Sequence, residues 1–131
     1  MKCSWPSDRA MNHDSTRVME ARCAPGVSYR IVRMSFGRRM ELAARIRELA
    51  RRAEFLESGK EIGDRIDGTI VGCEIDRTYL EWGLLEVSGL EIDHRPATPD
   101  LLIREGPEEL CREIVEAIKR ECGLSEEERK N

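Results

Sequence analysis

The chain has 131 residues, with 22 Lys and Arg against 26 Asp and Glu for a formal net charge of −4, and 40% of it is hydrophobic. That length suits one domain, and the 37% charged fraction marks a small protein with much polar surface. No window approaches the ~18 apolar residues of a membrane span, the first turns lack the apolar run of a secretory signal, and nothing is repetitive, so membrane and fibrous classes are excluded and the cytoplasm is the default expectation.

The five cysteines, Cys3, Cys23, Cys73, Cys111 and Cys122, form no Cys-x-x-Cys pair, and their odd number cannot close into a complete intrachain set. Reduced thiols follow. Charge is unevenly spread: residues 1–53 carry 12 basic and 5 acidic side chains, and residues 54–131 carry 10 and 21, so the halves stand at +7 and −11. Either the basic half presents a surface to an anionic partner, or the halves pack and neutralise each other, the expected outcome in so small a fold. Arginine supplies 18 of the 22 basic residues, and its planar fork suits multidentate pairing with carboxylates.

Residues 1–28 hold Pro6, Pro25, Gly26 and scattered polar residues without a sustained period, which reads as a disordered or upstream extension, with Met11, Met19 and Met34 as alternative starts. From Tyr29 to Phe36, β-favouring Tyr29, Ile31, Val32 and Phe36 alternate with Arg30 and Arg33, predicting a short half-buried strand. Ser35 is placed to cap the next helix. Over 38–57 Leu42, Ile46, Leu49, Ala53 and Leu56 recur at spacings of 4, 3, 4 and 3, one narrow helical seam. Gly59 ends it. Beyond Ser58-Gly59-Lys60 a second helix repeats a seam at Ile62, Ile66, Ile70, Cys73, Leu80 and Leu84, predicting an antiparallel helical hairpin. Arg77 interrupts that seam and should either pair with a carboxylate, Glu81 one turn on being the nearest candidate, or snorkel outward.

The second helix also carries Val71, Ile75, Thr78, Trp82 and Leu85 on nearly the opposite side. That face is either core, covered by a C-terminal helix, or a partner site, with Tyr79 at its rim. Next, Leu85-Glu86-Val87 and Leu90-Glu91-Ile92 alternate around Ser88-Gly89 and predict a β-hairpin, although it sets Glu86 opposite Glu91. Arg30 and Arg33 could relieve that repulsion in a small sheet joining 29–34 with 85–92. Thr98-Pro99-Asp100 and Gly106-Pro107-Glu108-Glu109 each open a helix. Leu110, Ile114, Ala117 and Ile118 stripe the longer one, Gly123 stops it, and Ser125 with Glu128 forms a capping-box pattern. The expected fold is mainly α with a small β-sheet, an α+β domain over 29–124 with a tail at 125–131.

Chemistry is sparse. His94, in the turn Asp93-His94-Arg95-Pro96, has no second ligand at a defined spacing, and His13 lies in the extension. Cys73, Cys111 and Cys122 fall at or near apolar stripes, where a thiol acts as a small hydrophobe. Phosphate-binding glycine loops, zinc-ligand clusters and nucleophile elbows are absent from the sequence, so a non-enzymatic protein without metal or cofactor is expected. On the first helix Glu41 with Arg45 and Glu48 with Arg52 are helix-stabilising pairs. Arg47 and Arg51 lie on its far side and repel each other, which makes them the basic candidates for an acidic partner.

Arg45-Ile46-Arg47-Glu48-Leu49, Glu74-Ile75-Asp76, Tyr79-Leu80-Glu81-Trp82-Gly83, Gly89-Leu90-Glu91-Ile92-Asp93, Ala97-Thr98-Pro99 and Gly106-Pro107-Glu108-Glu109-Leu110 together resemble the small tail assembly chaperones of long-tailed bacteriophages and prophages. The resemblance covers about residues 29–131. The family pattern has a glycine after Ile-Asp, where this chain has His94. The resemblance implies a largely helical, non-enzymatic protein in the cytoplasm of a bacterial host cell that coats or guides the tape-measure protein and helps recruit tail-tube subunits before leaving the finished particle. The candidate partner-binding residues are Arg47, Arg51, Val71, Ile75, Tyr79 and Trp82. A nucleic-acid-associated regulator using the Arg-rich half is the alternative, no membrane partner is expected, and self-association stays open.

Overall fold

Strand β2 (Ser28–Val32) lies at the centre of a three-stranded antiparallel sheet, between β1 (Thr16–Glu20) and β3 (Leu84–Ser88). The computed structural model describes residues 10–57 and 62–123, apart from the side chains at 50, 53, 56, 57 and 62–67. Helices α1 (Phe36–Glu57) and α2 (Ile62–Gly83) follow β2, and a two-stranded ribbon, β4 (Glu91–Ile92) with β5 (Arg95–Pro96), leads to α3 (Pro99–Glu105) and α4 (Glu108–Glu121). The fold is α+β, with four helices and small antiparallel sheets.

The expected extension over residues 1–28 is corrected from Thr16 onward, because β1 pairs with β2 in the register Thr16↔Val32 to Glu20↔Ser28. Only Val18 and Met19 in it are large and apolar. Its stability therefore comes from a ladder to partners 8 to 16 residues away, which leaves little trace in its own periodicity. The connecting loop is closed by the Ala21 N–H donating to the Val27 carbonyl at 2.9 Å. Ala21 and Val27 are both buried. Residues 1–9 and 124–131 lie outside the described residues, as do the Gly59 stop and the Ser125–Glu128 pattern.

The predicted pairing of strand 29–34 with the later segment holds, in the register Tyr29↔Val87 and Arg30↔Glu86. A register shift then sets Ile31 opposite Leu84, leaving Leu85 as the extra residue of a bulge. The predicted hairpin around Ser88-Gly89 does not form. β3 instead takes β2 as partner, which puts Glu86 beside Arg30 rather than Glu91. Gly89, at φ +80°, sits where an added Cβ would collide with the Gly26 carbonyl, so both its conformation and its surroundings require glycine. The hairpin forms one step later, with Ile92↔Arg95 pairing across Asp93 and His94. Their φ values of 52° and 64° belong to a tight type I′ turn, so His94 occupies a position that glycine usually fills.

Local signals set the helices. The Arg38 N–H donates to Ser35 Oγ at 3.2 Å at the start of α1. Thr98 Oγ1 accepts from the Leu101 N–H at 3.2 Å at the start of α3. In α4, Leu110, Ile114, Ala117 and Ile118 are buried as their spacing predicts, and Gly123 follows at φ +76°. Arg77 Nε donates to the Glu81 carboxylate at 2.9 Å.

α2 is the central helix, packed against α1, α3 and α4. Its orientation reverses part of the expected seam: Ile70 is 51% exposed and Cys73 is exposed, while Val71, Tyr79 and Trp82 are buried. Arg77 therefore interrupts no buried seam. The stripe with Tyr79 and Trp82 carries more apolar area than the one with Ile70 and Cys73, so the first faces the core.

Candidate functional site

Four of the six candidate partner residues belong to α2, and the packing removes most of that face from solvent. Tyr79 is 1% exposed and Trp82 is 6% exposed, Val71 is fully covered, and Ile75 is half-buried against the core. Of the two alternatives for this face the core one therefore holds: Val71, Tyr79 and Trp82 are core rather than docking residues, and the expectation that Tyr79 is the more exposed rim is reversed. The Lys119 ammonium lies 5.4 Å from the centre of the Tyr79 ring and 3.2 Å from the Asp76 carboxylate. That cation ties α4 to α2 through a charge pair and an aromatic face.

Arg47 and Arg51 do lie on an open surface. α1 makes its extensive packing with α2 alone, with Leu42 buried and Ile46 and Leu49 half-buried on that side. The opposite side carries Phe36, Met40, Arg47, Arg51 and Phe55, which at 3.6 residues per turn fall within an arc of roughly 100°. Phe36 is 84%, Met40 62% and Phe55 77% exposed. The surface is an apolar stripe interrupted by two guanidiniums. Among the described residues neither Arg47 nor Arg51 forms an ion pair, whereas Glu41 pairs with Arg38 at 3.8 Å rather than with Arg45. Phe36, Met40 and Phe55 were absent from the sequence-based candidates. Their spacing from Arg47 and Arg51 was the available signal, masked by the stronger seam on the other side of the same helix.

Three other arginines of the basic half make contacts inside the fold. Arg17, Arg30 and Arg33 line a polar concavity of about 580 Å³ with Ser15 and Thr16 at the end of the β1–β2 pair. Arg17 and Arg33 both reach the Glu121 carboxylate, at 3.2 and 3.5 Å. Arg30 donates to Thr16 Oγ1 at 2.9 Å. The first half thus neutralises part of the second, bracing the sheet against the end of α4. Nearby, the Glu113 carboxylate accepts the backbone N–H groups of Arg22 at 2.8 Å and Cys23 at 2.9 Å. Partial burial pushes the Glu113 carboxyl up, but these hydrogen bonds outweigh it and hold its pKa below the ordinary value.

No described group of three or more His, Cys, Asp or Glu is arranged to hold a metal ion. His94 is exposed on its turn. Cys23, Cys73, Cys111 and Cys122 are free thiols, and burial pushes Cys122 up to about 11. At neutral pH that thiol stays protonated and packs as a small apolar group. No described helix is long and apolar enough to cross a membrane. No family model matches this chain, and neither curated proteins nor solved structures give a match.

Proposed function

We propose that this chain is a non-enzymatic assembly adaptor that binds a partner protein through the outer face of α1. The finer reading, supported by the sequence resemblance, is a tail assembly chaperone of a bacteriophage or prophage, acting in the host cytoplasm on tape-measure and tail-tube proteins. The observation that carries the adaptor reading is the α1 face itself, where Phe36 and Met40 stand exposed beside Arg47 and Arg51. Exposed apolar groups next to unpaired guanidiniums suit a partner with a complementary apolar and acidic strip. A solvated helix face without partners would ordinarily carry few large apolar side chains.

The test is binding of the full chain to segments of a phage tape-measure protein, by calorimetry, with Arg47→Gln/Arg51→Gln as the comparison. Binding weakened at least tenfold by the double substitution, and more strongly at low salt, supports the reading. Undiminished binding removes the α1 face from it. Tight DNA binding with a steep salt slope that the substitutions abolish would replace it with the nucleic-acid reading.

A further inference from the structure

The flank of α1 that faces the end of α4 forms an open groove of about 340 Å³, lined by Met34, Leu42, Ala43, Ile46 and Cys122, with Arg39 and Arg47 as its charged members. The Arg39 guanidinium donates to the Cys122 carbonyl at 3.1 Å, which fixes it against the end of α4. Arg47 follows eight residues later on the same helix, roughly 12 Å along the axis at 1.5 Å per residue. An apolar trough therefore lies between two cations, continuous through Arg47 with the exposed face described above.

We propose that this groove receives one bulky apolar side chain of an acidic amphipathic helix from a partner protein, with a carboxylate one turn to either side pairing with Arg39 and Arg47. The inference rests on the reading of α1 as the partner-binding helix and specifies the chemistry of that partner. Charge complementarity selects the occupant. A lysine-rich helix would set like charges against both guanidiniums, and a wholly apolar one would desolvate them without a counter-charge. A carboxylate on Arg satisfies the fork in a bidentate pair. The spacing selects a helix: acids four residues before and four after the anchor span the same ~12 Å on one face.

The experiment selects binders to the full chain from a random 15-residue displayed peptide library, then measures the winners by fluorescence anisotropy. The expected consensus is a Leu, Phe or Met with Asp or Glu four residues to each side. Arg47→Glu should weaken these peptides about tenfold or more, and Ala43→Trp should block them by filling the groove from an exposed position, with melting temperature as the control for folding. If Ala43→Trp disturbs the fold, Arg47→Glu decides alone. A basic or uncharged consensus, winners indifferent to the variants, or no binders at all would overturn the proposal. Binding of a tape-measure segment that needs Arg51 and Phe36 but tolerates Ala43→Trp would remove the groove and leave the α1 reading standing. Binding indifferent to all of them would remove both.

Discussion

Trp82 and Glu113 show how single side chains hold this domain together. The Trp82 indole is buried, and its Nε1 has no hydrogen-bond partner among the described residues. Trp82→Ala should cost about 3–5 kcal/mol as a core cavity. Trp82→Phe should cost under ~1.5 kcal/mol, because removing an orphaned donor offsets much of the lost contact. Urea unfolding of the two variants separates these terms. Glu113 acts through charge. Its folded pKa is lowered, so its contribution is present above the ordinary carboxylate pKa and is lost as pH falls through the lowered folded value. Glu113→Gln should therefore lower the melting temperature at pH 7, with the difference closing on acidification. A gap that stays constant with pH would assign the effect to packing.

At the scale of elements, β1 is the clearest case of structure without a strong local signature. Its register places Met19 beside Tyr29, and it covers the edge of the central strand. A chain beginning at Val27 would lose β1 and the buried Ala21 and expose that edge. Its melting temperature should fall by roughly 5–10 °C, the shift that about 1–2 kcal/mol produces in a domain of this size. A chain beginning at Ala10 supplies the comparison, because it keeps β1 and the loop that Glu113 caps. If both melt alike, β1 adds nothing to stability. The type I′ turn at Asp93-His94 belongs to the same scale. It allows the chain to form the β4–β5 ribbon without glycine, its backbone cost being met by the elements on either side.

Across the whole molecule, the arginines divide by use. Arg17 and Arg33 meet Glu121, joining the basic first half to the acidic second. Arg47 and Arg51 face solvent from a helix that only α2 covers extensively. Arg47→Gln/Arg51→Gln should accordingly change unfolding free energy by no more than ~0.5 kcal/mol, since exposed charges without partners add little to stability. A loss well beyond that in denaturant unfolding would mean that the pair supports the fold, and its effect on binding could not then be read as contact.

What the sequence by itself determined is what local chemistry decides: the Ser35 and Thr98 caps, the Arg77–Glu81 pair, the stripe of α4 and its stop at Gly123, and the exposure of Arg47 and Arg51 opposite Leu42 and Ile46. Each depends on residues within about one turn of each other. Only the tertiary structure decided the rest. β1 joined the sheet through backbone bonds to β2, and the hairpin formed at Asp93-His94 rather than at Ser88-Gly89, while the pairing of β2 with β3 was legible in the sequence. α2 turned the stripe with Tyr79 and Trp82 inward because it carries more apolar area than the one with Ile70 and Cys73. Val71, Tyr79 and Trp82 became core for that reason, and the candidate surface moved to α1, where Phe36, Met40 and Phe55 are exposed and, among the described residues, no helix covers that side as α2 covers the inner one.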